Sequence, residues 1–276
     1  MAIDLSQQLI QATVQLEQPL GNGTRTVGTG FLIVAPGPDG QPRTVLVTAN
    51  HVLDKMPGPI AHIGYRVANA DGSWTYSPQN LRIRDAQGRE LWTHHPSRDV
   101  AAISVTAPPA FAKAAIPEDY LASDETFQKY QVGAGDELMA LGFPRGLSAN
   151  QAGFPILRSG RIASYPIAPA KIFPTFLMDF AVFPGNSGGP VFMSEGNRHR
   201  ADQPAQDVEF IAGLLTQEVE LNSERLGIGI VTQAKFIRET IDRVSDPAAP
   251  ATLAVATEAS VSGAKAASAE EAVGPD

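Results

Sequence analysis

The chain has 276 residues, 43% hydrophobic and 18% charged, which is enough to bury one large core or two smaller ones. A net charge of −8 excludes a general affinity for nucleic acid or anionic lipid, and the absence of cysteine excludes disulfides, thiolate metal sites and a cysteine nucleophile. With 25 Gly and 22 Pro, the composition favours a turn-rich β fold over a helical bundle.

The opening "MAIDLSQQLIQATVQLEQPLG" has neither a basic stretch nor a continuous apolar run, so no secretory signal is read and a soluble cytoplasmic protein is expected. A periplasmic or secreted protein trimmed of its leader would read the same. No apolar run reaches membrane-spanning length.

Leu5 to Leu9 suits a short helix. "RTVGTGFLIVA" and "RTVLVTAN" are β-rich runs parted by the turn-forming "PGPDGQP". "AHIGYRVA" and "SWTYSP" flank "NADG", and "LRIRD" and "ELWTH" flank "AQGR", which predicts two more hairpins. "DVAAISV" follows, then the Pro-rich connector "TAPPAFAKAAIPEDY". The pattern resumes with "ELMALGF", "PILRSGRIASY", "FLMDFAV", "GPVFM", "EFIAGLLTQEV" and "GIGIVT". So many short strands imply a barrel or a sandwich. "TQAKFIRETIDRVS" then sets Phe236, Ile237, Ile241 and Val244 on one helical face. From about Ser245 the chain is rich in Ala, Ser, Pro and Glu and has no aromatic residue. Its carboxylates outnumber Lys265 enough to give it half of the excess charge, and a disordered tail is expected.

One stretch concentrates chemistry. In "FPGNSGGPVF", Ser187 stands among Gly185, Asn186, Gly188 and Gly189, residues that keep a backbone open to a substrate carbonyl. The amides of Gly185 and Ser187 can point at one spot, as an oxyanion hole requires. Taken alone, the same stretch reads equally as a tight turn that carries a hydroxyl. A serine nucleophile needs a base, and the base needs a carboxylate to orient it. Of the five histidines, His62 falls in a hairpin strand, His94 and His95 precede a proline, and His199 falls in the polar "GNRHRADQ"; surface or loop roles are expected for these four. His51 follows the apolar run "TVLVTAN", and Asp99 opens "DVAAISV". Each would be a strand-end residue by itself, yet His51, Asp99 and Ser187 all stand at strand edges beside small residues.

"GTGFLI", "TANHVL", "RDVAAISV", "LGFPRG", "LRSGRIAS", "GNSGGPVF" and "GIGIV", in that order from about Val14 to Ile241, resemble the landmarks of the trypsin/chymotrypsin-like serine proteases, and most closely the bacterial HtrA/Deg-like branch. The resemblance implies an all-β fold of two six-stranded antiparallel β-barrels with a C-terminal helix. Residues 1–112 would form the N-terminal barrel with His51 and Asp99, 113–244 the C-terminal barrel with Ser187 and the helix, and 245–276 the tail. It implies a serine endopeptidase with His51 as base, Asp99 as its orienter and Ser187 as nucleophile. Protein or peptide substrates follow, with no cofactor and no metal. By motif position, Ala181, Val182, Leu215, Thr216, Gly227 and Gly229 would line the primary specificity pocket. No acidic residue stands there to receive Arg or Lys, and "GLLTQEV" lacks the histidine of glutamate-specific relatives, so a small or medium aliphatic residue is expected before the scissile bond.

Two departures matter. Zymogen-type relatives pair an Asp before the nucleophile with a freshly cut N-terminus, but Asn186 stands here, which argues against activation by that route. No PDZ sequence follows the protease region. An internal substrate would call for restraint by narrow specificity or by a regulatory protein partner. The main alternative is a protease-like binding scaffold, or a conditionally activated protease with a resting site. An esterase or lipase of the α/β-hydrolase kind is set aside because the strand-rich, helix-poor chain opposes that fold.

Overall fold

The computed structural model describes residues 4–245 apart from 22, 202 and 223, together with the backbone of 252 and 253. Helix α1 (Leu5–Ala12), capped by the Asp4 carboxylate accepting from the Gln7 amide, leads into strand β1 (Thr13–Pro19). β1 pairs with β2 (Arg25–Pro36), which pairs on its other side with β3 (Pro42–Thr48). β2 is therefore central, and Gly28 to Ile33 is buried without alternation. After α2 (Asn50–Asp54) come β4 (Ile60–Ala68), β5 (Trp74–Arg82), β6 (Thr93–His94) and β7 (Ala101–Ser104). The first sheet runs β5-β4-β1-β2-β3-β7-β6, all antiparallel. Beyond α3 (Pro109–Ala114), β8 (Ile116–Pro117) adds to β2 in parallel.

The second half opens with α4 (Asp124–Lys129), held by a capping box between Ser123 and Thr126. β9 (Glu137–Gly142), β10 (Ile156–Ile162), β11 (Thr175–Asp179), β12 (Pro190–Arg200), β13 (Gln203–Leu221) and β14 (Glu224–Gln233) close a barrel in the order β10-β11-β14-β13-β12-β9. Burial alternates along β10, which has one face in solvent. α5 (Ala234–Ile241) ends the described core.

The expected all-β architecture is present, with six strands closed in the second half. The first sheet holds more strands, and its hydrogen-bonded path runs open from β5 to the two-residue β6. The outer edge of β5 also pairs with Thr252–Leu253 (β15). Apart from that pairing and Ser245, the tail expected to be disordered lies outside the described residues. The hairpin expected around "AQGR" is reduced to a single bridge between Arg84 and Glu90. Asp85 is the cause: its carboxylate accepts from the amides of Gln87 and Arg89 and from the Arg89 side chain, which favours a turn over a ladder. His199 lies in β12 rather than in a loop.

The helical face predicted for α5 is the buried one, including Phe236, Ile237, Ile241 and Val244. It packs against the first sheet as well as the second, and Arg43 of β3 donates to the Val244 and Ile241 carbonyls at its C-terminal end (2.8 and 3.3 Å). A second clasp joins the halves at Arg66. This side chain, 1% exposed, donates to the carbonyls of Gly153, Ile10, Gln11 and Thr13 between the rings of Phe111 and Phe154. Burial lowers its pKa to about 10. No described helix is long and apolar enough to cross a membrane.

Replacing Arg66 by Met keeps the bulk but leaves those carbonyls without a donor. The Arg66→Met protein should lose about 3 kcal/mol or more of unfolding free energy, read from urea denaturation.

Candidate active site

β3 pairs with β7 so that Thr48 faces Ala101, and the residues just beyond the one and just before the other meet at the same end of the sheet. His51, in the first turn of α2, meets Asp99 there. The His51 amide donates to Asp99 Oδ1 (2.9 Å), and His51 Nδ1 lies 2.6 Å from Asp99 Oδ2. Against an ionised carboxylate, Nδ1 carries the proton and Nε2 keeps its lone pair. Burial alone would raise the Asp99 pKa. The hydrogen bond and attraction of the His51 ring, with the amides of His51 and Asn50, outweigh burial and hold the carboxyl below its ordinary value. The neighbouring Asn50 is fixed by Trp92, whose indole donates to its Oδ1 (2.9 Å).

Ser187 sits in the turn before β12. Asn186 N donates to Phe183 O (3.0 Å), closing a turn with Pro184 and Gly185 at its centre, and Gly185 has φ of 97°. Pro184 O accepts from Arg145 N (2.6 Å), so the planar trans peptide aims the Gly185 N–H the opposite way. The next carbonyl, Gly185 O, accepts from the Thr29 hydroxyl (2.6 Å), whose oxygen in turn accepts from Phe143 N (3.2 Å). Thr29 N donates to Ser187 O (2.9 Å). The amides of Gly185 and Ser187 have no hydrogen-bond partner among the described residues, so the turn presents two donors to an incoming oxygen. Gly188 (φ 87°) cannot be replaced cheaply, since a Cβ there would lie 2.2 Å from both Thr29 O and Thr48 Oγ1.

The Ser187 hydroxyl donates to the Thr216 carbonyl (3.2 Å), and no hydrogen bond joins it to His51. Thr216 lies at a register shift between Leu215 and Gln217, where β13 bulges away from β14. His51, Gly185 and Ser187 line one cleft of about 460 Å³. Of the predicted pocket residues, Val182 and Thr216 line the same cleft. Leu215 and Gly229 lie beneath it, packed with Phe180. The Ala181 carbonyl is held by Arg158 (2.6 Å), and Gly227 (φ 66°) lies toward the outer part of β14.

Several contributors escaped the sequence reading. Arg25, Lys55, Glu218, Glu220 and Arg225 also line the cleft, with Arg225 between the two glutamates (3.5 and 3.6 Å). Thr29 left one signal, a hydroxyl between two glycines in an apolar run. Arg145 acts through its amide and left none. His95, expected at the surface, is 6% exposed and bonded to Glu239. Asn186 is 4% exposed, and its Oδ1 has no hydrogen-bond partner. Among the described residues, no group of His, Asp and Glu is arranged to hold a metal ion.

Residues 28–198, more than half of the chain, match the trypsin-like peptidase domain. The chain belongs to that family, which places it among the serine endopeptidases. The solved structures that share the fold include three proteases. AlgW, an HtrA-type protease solved with a tripeptide, is 17% identical with a TM-score of 0.51, over 86% of this chain and 61% of its own. The MamO protease domain of Magnetospirillum magneticum is 16% identical with a TM-score of 0.51, over 85% and 98%. The Rv3671c protease of M. tuberculosis, in an active form, is 16% identical with a TM-score of 0.50, over 89% and 86%. No curated relative matches the sequence.

Thr29→Val keeps the shape but strips Gly185 O and Phe143 N of their partner. It should cost about 2 kcal/mol of stability in a denaturant titration, with slower labelling of Ser187 by a fluorophosphonate. For Asp99, a lowered folded pKa means stability present above the ordinary carboxylate range and lost as pH falls through the lowered value. Melting temperatures measured in acid steps should fall less steeply in that window for Asp99→Asn than for the wild type.

Proposed function

We propose that the cleft hydrolyses peptide bonds through an acyl-enzyme on Ser187. The observation that carries this reading is the tight His51–Asp99 pair opening on the same cleft as a serine whose flanking amides are unengaged. His51 Nε2 takes the Ser187 proton as Oγ attacks the carbonyl carbon, and the resulting oxyanion accepts from the Gly185 and Ser187 amides. The protonated ring gives its proton to the leaving amine as the C–N bond breaks. Water then repeats the sequence on the ester, releasing the acid and restoring Ser187. Asp99 holds the ring in the required tautomer and stabilises its charge.

Space supports a narrow substrate class. A Cβ placed on Gly229 would lie 2.9 Å from Phe180 Cε1, 3.0 Å from Val182 Cγ2 and 3.1 Å from Leu215 Cδ1, so three apolar side chains already fill the space at Gly229. A small or medium aliphatic residue before the scissile bond fits such a floor. The substrates are proteins or peptides, and a regulatory protein partner restrains the enzyme. One observation favours a second reading, a protease resting until activated: the Ser187 hydroxyl is turned to Thr216 O. Hydrogen bonds of this kind often form only once substrate is bound, so the two readings share the same chemistry.

A peptide-library cleavage assay beside fluorophosphonate labelling tests the proposal. Ser187→Ala should abolish labelling and lower kcat by about 10⁶-fold, and Asp99→Asn should lower it by about 10⁴-fold. Phe180→Ala should admit larger residues before the cut. Equal labelling of the wild type and Ser187→Ala would sink the assignment of the nucleophile; an unchanged library profile for Phe180→Ala would sink that of the pocket floor.

A further inference from the structure

We propose that His95 is a positioning residue for the His51–Asp99 pair, and that Glu239 of α5 sets it. This rests on the peptidase reading for its kinetic consequence but on separate geometry for its structure. His95 is buried, and both of its ring nitrogens are engaged. Nε2 lies 3.0 Å from Glu239 Oε2, and Nδ1 accepts from the Ser97 amide (3.2 Å), so the ring is neutral with its proton on Nε2. The His95 amide donates to Val100 O (2.9 Å), and Val100 N donates to Arg98 O (2.9 Å). Residues 95–100 therefore form a turn closed by the backbone at its ends and by the His95 ring within, and Asp99 sits inside it.

The outer wall of this turn is α5. The His95 ring meets Phe236 edge-on at 5.4 Å, and the Arg98 guanidinium lies 5.3 Å from the centre of the same ring. Glu239, one turn further along α5, is its carboxylate contact. The turn that presents Asp99 thus belongs to the first sheet, and its outer wall is added by the helix that follows the second barrel. The pairing of β3 with β7 brings Asp99 to the right end of the sheet, but its carboxylate must meet the His51 amide and ring together, and a shift of the turn misaligns both bonds. A buried ring filling space needs no carboxylate 144 residues away in sequence. One that accepts from Ser97 while donating to Glu239 has its tautomer and its plane fixed.

The test uses the full chain with Glu239→Ala and Glu239→Gln, since the amide oxygen of Gln still accepts from Nε2–H. For Glu239→Ala, kcat on a cleaved peptide should fall about tenfold or more with KM unchanged, and Glu239→Gln should recover most of it. The ring ¹H and ¹⁵N resonances of His51 should move in Glu239→Ala and stay at wild-type positions in Glu239→Gln. Those resonances need no turnover, so a wild type that cleaves nothing while His51 still responds to Glu239→Ala defeats the peptidase reading and leaves this one standing. If Glu239→Ala lowers only the melting temperature, with kcat and the His51 resonances unchanged, the pair merely docks the helix and the proposal is wrong.

Discussion

Thr29 holds the Ser187 turn at two carbonyls. Its amide donates to Ser187 O, and its hydroxyl donates to Gly185 O while accepting from Phe143 N. The residue is fully buried in β2, the central strand of the first sheet, whereas the groups met by its amide and hydroxyl belong to the second half of the chain. The turn geometry is therefore imposed from outside its own barrel. A loop tied by buried hydrogen bonds to a central strand shares that strand's resistance to local opening. Donors meant for a developing oxyanion are useful only if they need no reorganisation when charge appears. Thr29 on one side and Arg145 N on the other supply that rigidity, by fixing the two successive carbonyls at Gly185 and Pro184.

The rest of the molecule handles charge in ways consistent with this division. At the deeply buried Arg66, carbonyls and aromatic faces receive the cation and no carboxylate is desolvated with it, whereas the buried Arg198 is paired with Asp136. Where a carboxylate is partly buried, as at Asp99, the donors converge on it and its ionised form is preserved. Exposed pairs such as Arg89 with Asp85 order a turn but contribute little to stability. The interactions that cross between the two halves include Thr29 to the Ser187 turn, Arg66 to Gly153, Arg43 to the end of α5, and His95 to Glu239. Each spans a long stretch of sequence, and each fixes backbone or ring orientation rather than adding bulk.

That distribution explains what could be read from the sequence. β-branched runs bounded by Gly and Pro gave most of the strands, because alternation and turn chemistry are local. The face of α5 was legible for the same reason, and His51, Asp99 and Ser187 stood out because each is a polar residue among small ones at a strand end. What escaped depends on partners remote in sequence. His95 looks like a loop histidine until Glu239 arrives from α5. Arg66 looks like an exposed strand cation until Gly153 and Phe154 cover it. Arg145 contributes an amide, which has no residue signature at all. The "AQGR" segment failed for a different reason, since the Asp85 carboxylate competes for the amides that a hairpin ladder would need.

Asn186 shows how one atom's environment carries a constraint on activation. Its side chain is 4% exposed beside Gly142, and its Oδ1 meets no donor. A neutral amide left short of one hydrogen bond costs on the order of 1–3 kcal/mol, which a folded domain can carry. A carboxylate in the same place would be a buried charge. That state is far more costly, and it persists only when a partner arrives or the group is neutralised. An aspartate here would make the turn depend on such a partner; asparagine removes the dependence. The turn is instead held in place from within the chain, by Thr29 and Arg145, and the position before Ser187 is free to be neutral.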